Sequence, residues 1–389
     1  MIEQIDISNF RSIKNQSIPL KRINVLYGPN GSGKSSVMYA PYVVRNFFVT
    51  PNQRLDSLLN LGFINLGGVE NVLFGHNPNN IITISITAGL NKIFEFVDPS
   101  METTIFKYTF EIDEILGPEI KFSFGNTRET IPLNFPYSLS QKKEIDIKGV
   151  KLLWNGLTFE HISNGTPLAF VFNSVYEIIK NIEIISVKRG FFSPIFSTEQ
   201  PNEESEFALT IRQQEKDFES KIDHYFKKIF EKTFRFVAIP GSTSFYLRTQ
   251  NNKGFTIDLV NEGFGVNQTV YMLIKLLKKS TSLAFIEEPE IHLHPSAQNK
   301  LVDVFADISK NEGKQIFITT HSENIVSGFL RKIADGELSV NDIQFYLAQS
   351  EGGETTITPQ NVNDKGQLEG GLLSFMEAEL KNLKSLLGL

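Results

Sequence analysis

The period of the apolar positions changes several times along this chain, and each change marks an element. Ile2 to Phe10 and Ile23 to Tyr27 form short strand-like runs around a polar link. The second feeds straight into YGPNGSGKSS, and the VMYAPYVVRNFF that follows is apolar enough for a buried helix, which Pro41 is expected to kink. From Ile81 to about Phe172 the pattern becomes alternation, in IITISITA, KIFEFV, TIFKYTFEI and IKFSF, broken by Gly, Asn and Pro turns. That texture predicts an antiparallel sheet lobe, inserted into or appended to the lobe that the first strands begin. Between Glu203 and Phe234, Phe207, Ile211, Phe218, Ile222, Phe226 and Phe230 fall mostly three and four apart. This is the spacing of one amphipathic helix or a broken pair, and the heptads do not persist as a coiled-coil arm requires. SFYLRTQNNKGFTIDLV reads as a hairpin turning at NNKG. Near the end IQFYLA reads as a strand and EAELKNLKSLL as an amphipathic helix.

Composition narrows the function classes. With 389 residues, 41% of them hydrophobic and 21% charged, the chain can bury a core of one large domain or two lobes. No apolar run reaches the roughly eighteen residues of a membrane span, and MIEQIDISNF carries an acid where a signal peptide has a basic start. The absence of cysteine excludes disulfides and thiolate metal sites and suits a cytoplasmic protein. A net charge of −6 gives no global nucleic-acid footprint, so any DNA contact is expected as a local patch.

Four stretches carry candidate chemistry. Gly28-x-x-x-x-Gly33-Lys34-Ser35 has the spacing of a phosphate-binding loop, with a strand before it and a helix after. Its glycines let backbone N–H groups converge on a β-phosphate, while Lys34 is placed to reach the β- and γ-phosphates and Ser35 to ligate magnesium. In SLAFIEEPEIHLHP an apolar strand ends in Glu287 and Glu288, and two carboxylates at a buried strand tip call for a cation or a proton. The first suits magnesium held through water, the second the attacking water. In QIFITTHSENI a further apolar strand ends in His321, placed to sense a γ-phosphate. In NEGFGVNQTVYMLIKLL, Gly263 and Gly265 open an apolar helix as a second anion cradle. His292 and His294 lack an evident third ligand, so no metal is assigned to HLH.

In this order the motifs resemble an ABC-type ATPase of the RecF/SMC/OLD-like group, often described as AAA family ATPases. ISNFRSIKN and GPNGSGKSS open the chain, and EEPEIHLHP and TTHS close the ATPase. The resemblance covers residues 1–75 and 235–350 and is poor between them. It implies an α/β fold, a P-loop NTPase of the ABC ATPase head type with an inserted antiparallel β-rich and helical lobe. Residues 1–75 are then the N-terminal part of the ATPase lobe, 76–234 the insert, 235–350 the C-terminal part, and 351–389 a tail with a terminal helix.

Residue by residue, the resemblance implies Gly28, Pro29, Asn30, Gly31, Ser32, Gly33, Lys34, Ser35 and Ser36 as the Walker A loop that holds ATP. Ser35 and Glu287 become the Mg2+ positions, and Glu288, His321 and Lys34 the catalytic set. Glu290 to His294 become the D-loop, and Gly263, Gly265, Asn267 and Gln268 the signature turn that acts on a partner's γ-phosphate. Arg11 stands where the group approaches the nucleotide, and Lys188 and Arg189 resemble a basic spot for phosphate or a partner. Two departures stand out. Asn267 occupies the serine position of the signature and the leading LS is absent, which implies an amide donor. NLGFINLGGVENVLFG, where a magnesium-sensing glutamine is sought, contains none.

The mechanism this implies is a homodimer that sandwiches two ATP molecules, with any higher assembly left open, so that ATP favours closure and hydrolysis releases it. Relatives of the OLD type continue into a Toprim nuclease, but 68 residues follow His321 and no Asp-x-Asp pair occurs. The resemblance therefore points to a stand-alone switch ATPase of bacterial anti-phage defence that controls a separate effector, a nuclease or toxin, without a membrane partner. The alternatives are a RecF-like DNA-repair or DNA-binding ATPase and, less well matched, a transporter's nucleotide-binding subunit.

Overall fold

The computed structural model describes residues 1–90, 105–113, 117–133, 137, 141–147, 149–162, 168–199, 201–215, 217–369 and 371. KIFEFV and EAELKNLKSLL lie outside them. The chain opens with β1 (Ile2–Phe10), β2 (Ile13–Pro19), β3 (Ile23–Tyr27) and helix α1 (Lys34–Val49). Seven strands follow: β4 (Ile82–Gly89), β5 (Ile105–Asp113), β6 (Gly117–Phe124), β7 (Thr127–Pro132), β8 (Lys143–Ile147), β9 (Val150–Trp154) and β10 (Phe159–His161). Next come α2 (Leu168–Lys180), β11 (Ile182–Ile185), β12 (Phe196–Ser197), α3 (Glu203–Gln213) and α4 (Phe218–Phe230). Strands β13 (Thr233–Ala238), β14 (Ser244–Gln250) and β15 (Thr256–Asp258) lead to α5 (Phe264–Leu277) and β16 (Leu283–Glu287). The described part closes with α6 (Pro295–Asn311), β17 (Gln315–Thr320), α7 (Glu323–Ala334), β18 (Ile343–Glu351) and β19 (Glu354–Gln360). Among the described residues no helix is long and apolar enough to cross a membrane.

The backbone divides into two compact units. The first takes Met1–Lys21, Leu26–Ile182 and Tyr346–Pro359; the second takes Arg22–Val25, Glu183–Phe345 and the described residues from Gln360 onward.

In the first unit a six-stranded antiparallel sheet runs β2-β1-β4-β5-β6-β7. β1 pairs with β4 directly, Ile5 opposite Ile86, so the N-terminal hairpin and the strands after residue 81 share one sheet. Alternation sorts its faces: Phe106, Tyr108, Phe110 and Ile112 of β5 are buried. Lys107 of that strand pairs instead with Asp6, at 2.6 Å. The buried face packs rings together, Phe47 stacked on Phe110 at 5.4 Å and Phe106 tilted against Phe172 at 5.1 Å. Each such pair is worth about 0.5–1.5 kcal/mol beyond area burial. Phenylalanine thus serves mainly as core here, with Phe170 the exposed exception among the described residues of this unit. α1 continues through Pro41 to Val49 as one helix.

In the second unit the strand order is β11-β16-β17-β3, with the first residues of β18 next to β3. β16 and β17 are parallel, Leu283 opposite Gln315 through Glu287 opposite Thr319. Both strands are buried along their whole length, as continuous apolar runs in a covered sheet require. The helical stretch after Glu203 is a pair, α3 and α4. The hairpin at NNKG forms between β14 and β15, with Asn251 N–H donating to the Phe255 carbonyl at 3.1 Å.

Candidate functional site

The first unit carries the glycine-rich loop. β3 is buried throughout and delivers the chain to Gly28, whose φ is 152° and where a Cβ would overlap the Ala348 carbonyl oxygen. Gly31 and Gly33 stand at φ 76° and 87° in the left-handed region that glycine adopts without steric cost. A Cβ on Gly33 would overlap Thr355 Oγ1 and lie 2.9 Å from Ser12 Oγ, and those two hydroxyls bond each other at 2.8 Å. The loop therefore rests on a polar shelf made by the β1–β2 turn and β19. Lys34 is buried, and its Nζ donates to the Gly28 and Pro29 carbonyls at 3.0 and 2.8 Å. No side chain caps the N-terminus of α1, and the Ser32 hydroxyl is buried without a hydrogen-bond partner. A backbone cradle, an uncapped helix start and an orphaned buried hydroxyl fit a bound phosphate chain. Arg11 sits at φ 54° in the β1–β2 turn, its guanidinium 5.4 Å above the Tyr39 ring of α1.

The second unit carries the acids and the histidine. Glu287 ends β16 and is only 5% exposed. Glu288 follows at φ 41°, its N–H donating to the Thr319 carbonyl at 2.9 Å. Its carboxylate stands 3.4 Å from His321 Nε2, with both side chains about a third exposed. Glu290 lies beneath the histidine: its Oε1 accepts from Thr320 Oγ1 at 2.7 Å and from the His321 N–H at 2.9 Å. Its other oxygen is buried without a partner, and burial raises its carboxyl above the usual carboxylate range. Arg189, expected at a phosphate or partner spot, is buried against the backbone of Glu287 and Glu288.

α5 begins after Gly263. Gly265 lets its first turn approach the His292 carbonyl, and His292, at φ 62°, lays its ring 5.7 Å from that of Phe264. Asn267 was expected to offer its amide outward; instead the side chain is buried. It accepts from Phe191 N–H at 2.7 Å and donates to the Phe191 and Leu259 carbonyls at 2.7 and 3.1 Å. Those bonds satisfy three buried backbone groups and leave the amide no free donor, because Asn has only two N–H groups. Gln268 is buried beside it, its Oε1 without a hydrogen-bond partner. His294 caps α6, accepting from Ser296 N–H at 3.3 Å. Among the described residues no group of three His, Cys, Asp or Glu is arranged to hold a metal ion.

Sequence reasoning placed the acids and histidine at strand tips but missed Glu290 as the acceptor under His321, Ser12 and Thr355 as the shelf under Gly33, and the partners of Arg189. Only Glu290 left a signal, the third acid in EEPE.

A glycine cradle between strand and helix, together with a two-acid strand beside a histidine strand, defines an ABC-type ATPase of the RecF/SMC/OLD-like group with a P-loop NTPase fold. The chain belongs to the AAA ATPase domain family, whose model matches residues 1–326. It is 23% identical over 355 residues to Old nuclease of Escherichia phage P2, a match covering 84% of this chain and 57% of that protein. It is 60% identical over 38 residues to the DNA replication and repair protein RecF of Chlorobium limicola, a tenth of each chain. The chain thus spans little more than half of the first relative. A crystal structure of the SmcHead bound to the C-winged helix domain of ScpA shares its fold, with a TM-score of 0.56 and 12% identity over 92% of this chain and 97% of that one.

Proposed function

We propose that the chain is an ATP-hydrolysing switch. In this reading Gly28 to Ser36 hold the triphosphate, Lys34 contacts its β- and γ-phosphates, and Glu288 takes the proton of the attacking water while His321 reports on the γ-phosphate. Mg2+ would neutralise phosphate charge, held by Ser35 and, through water, by Glu287. Residues 1–75 and 235–350 supply the ATPase motifs in this reading, while the strands from Ile82 onward complete the sheet that β1 begins and β19 adds the shelf under Gly33. The observation that carries the reading is the Glu288 carboxylate 3.4 Å from His321 Nε2, at the tips of two in-register parallel strands.

The switch closes as a head-to-tail pair in which the turn at Gly263 and Gly265 of one copy meets the ATP of the other. With Asn267 engaged inside its own chain, that contact falls to backbone N–H groups at the start of α5. Closure controls a separate effector, a nuclease or toxin, in cytoplasmic anti-phage defence; the similarity to Old nuclease supports this direction. The test is the solution mass of the Glu288→Gln protein by light scattering, with and without Mg-ATP. A shift from one 44.0 kDa chain to two on adding ATP is expected. An unchanged mass at saturating ATP would refute ATP-driven pairing.

The RecF match favours a second reading, a DNA-dependent ATPase. ATP hydrolysis stimulated by duplex DNA, with a steep salt dependence, is its signature, and rates indifferent to DNA exclude it.

A further inference from the structure

Arg189 holds the backbone on both sides of Glu288. Its Nη1 donates to the Glu287 carbonyl at 2.6 Å and to the Ser186 carbonyl at 3.1 Å, and its Nη2 donates to the Glu288 carbonyl at 2.8 Å. The Glu287 carbonyl belongs to the peptide plane before the Glu288 Cα, and the Glu288 carbonyl to the plane after it. One planar fork therefore fixes both φ and ψ of Glu288. That residue needs fixing, because φ 41° is a conformation that side-chain-bearing residues rarely adopt. Its N–H bond to Thr319 anchors the first plane a second time.

The surroundings are built for this grip. Arg189 is 2% exposed, in the loop after β11, the strand next to β16 in the sheet. Burial pushes the guanidinium down to about 10, opposed by Glu290, Glu287 and Glu288, so it stays charged at neutral pH. Among the described residues its guanidinium hydrogen bonds all go to carbonyls, none to a carboxylate. A residue present only to balance acids would pair with their side chains, whereas this one grips the chain that carries them.

We infer that Arg189 is a positioning residue for ATP hydrolysis: it holds Glu288 in the left-handed backbone conformation that points its carboxylate at His321. This rests on Glu288 acting as the base in the reading above. Without the fork, Glu288 relaxes toward the right-handed region and its carboxylate swings away. A lysine cannot substitute, since a single ammonium on a flexible stem does not hold two carbonyls in a fixed plane.

The test compares Arg189→Lys and Arg189→Gln with the wild type in three readouts. Steady-state hydrolysis should fall about 10²-fold in kcat, as expected for a displaced catalytic group. Mg-ATP affinity, from equilibrium binding, should stay within about twofold, because nothing that holds ATP in this reading is altered. In nucleotide-free protein the Glu288 amide should exchange hydrogen about tenfold faster, with the rest of β16 unchanged. Placed in the Glu288→Gln background, Arg189→Lys should cause no further loss of kcat, because it acts through Glu288.

Wild-type kcat in Arg189→Lys, or a loss that persists undiminished in the Glu288→Gln background, overturns the inference. So does failure of both Arg189 variants to fold, which assigns the residue to stability alone. Wild-type hydrolysis by Glu288→Gln itself would instead overturn the catalytic reading, and is recognisable whatever Arg189 does.

Discussion

Replacing Gly265 by alanine tests how closely α5 approaches the loop after the two acids. In an unobstructed helix the exchange stabilises by about 1 kcal/mol, and by less in the first turn, where Gly265 stands. Here the added Cβ would lie 2.8 Å from Leu293 Cδ2, 3.0 Å from the His292 carbonyl carbon, and closer still to its oxygen. The leucine methyl can rotate aside. The carbonyl cannot withdraw freely, since His292 is already at φ 62° and Leu293 N–H is tied to the Glu290 carbonyl at 3.0 Å. Forcing backbone apart in a packed contact costs about 1–3 kcal/mol, which the helix gain only partly offsets, so a net loss of about 1–2 kcal/mol is expected. A urea titration reads it as a lower midpoint at unchanged slope. Gly263→Ala is the control: no heavy atom lies within 4 Å of a Cβ there, and a change below about 0.5 kcal/mol is expected. A Gly265→Ala midpoint equal to or above that of the wild type would refute the close approach.

Two further substitutions follow from buried polar groups. Asn267→Ala strands the Phe191 N–H and the Phe191 and Leu259 carbonyls, so a loss of about 2–4 kcal/mol is expected in the same titration. A loss below about 0.5 kcal/mol would return the amide to an outward role. Glu290 has a raised folded-state pKa, so it favours folding below its ordinary value of 4.5, and that contribution is lost as pH rises toward the folded value. Glu290→Gln lacks this titration, and its melting temperature relative to wild type should climb as pH rises from 4.5 into the neutral range; a falling difference refutes the burial argument.

The features legible in the sequence were those a single period or dipeptide can encode. Leu283 to Ile286 and the IFITT run read as buried strands because no charged residue interrupts them, and NNKG reads as a turn from its own residues. The pairing of β1 with β4 was not legible, since more than seventy residues separate strands whose patterns both fit any antiparallel neighbour. In the same way Asn267 reads as an exposed donor from its place in a glycine-rich turn. Its burial depends on Phe191, 76 residues earlier, which no local spacing reveals. Arg189 and its carbonyl acceptors are 98 and 99 residues apart, and an arginine at a strand end has no sequence mark that separates gripping backbone from meeting a phosphate.

The three acids around Arg189 do not weigh equally on it, and the order matters for reading any neutralised variant. Burial works to discharge the guanidinium; Glu290 opposes that most, Glu287 next and Glu288 least. The weakest of the three, Glu288, has a third of its side chain in water, where its field is screened. A glutamine at 290 therefore removes the strongest support for the charge that holds the strand tip, and a loss of hydrolysis there mixes chemistry with geometry. A glutamine at 288 removes the weakest, and its backbone, gripped through carbonyl and N–H groups, is indifferent to the side-chain charge. That asymmetry makes Glu288→Gln the neutralisation that reports on proton transfer with the strand tip still in place.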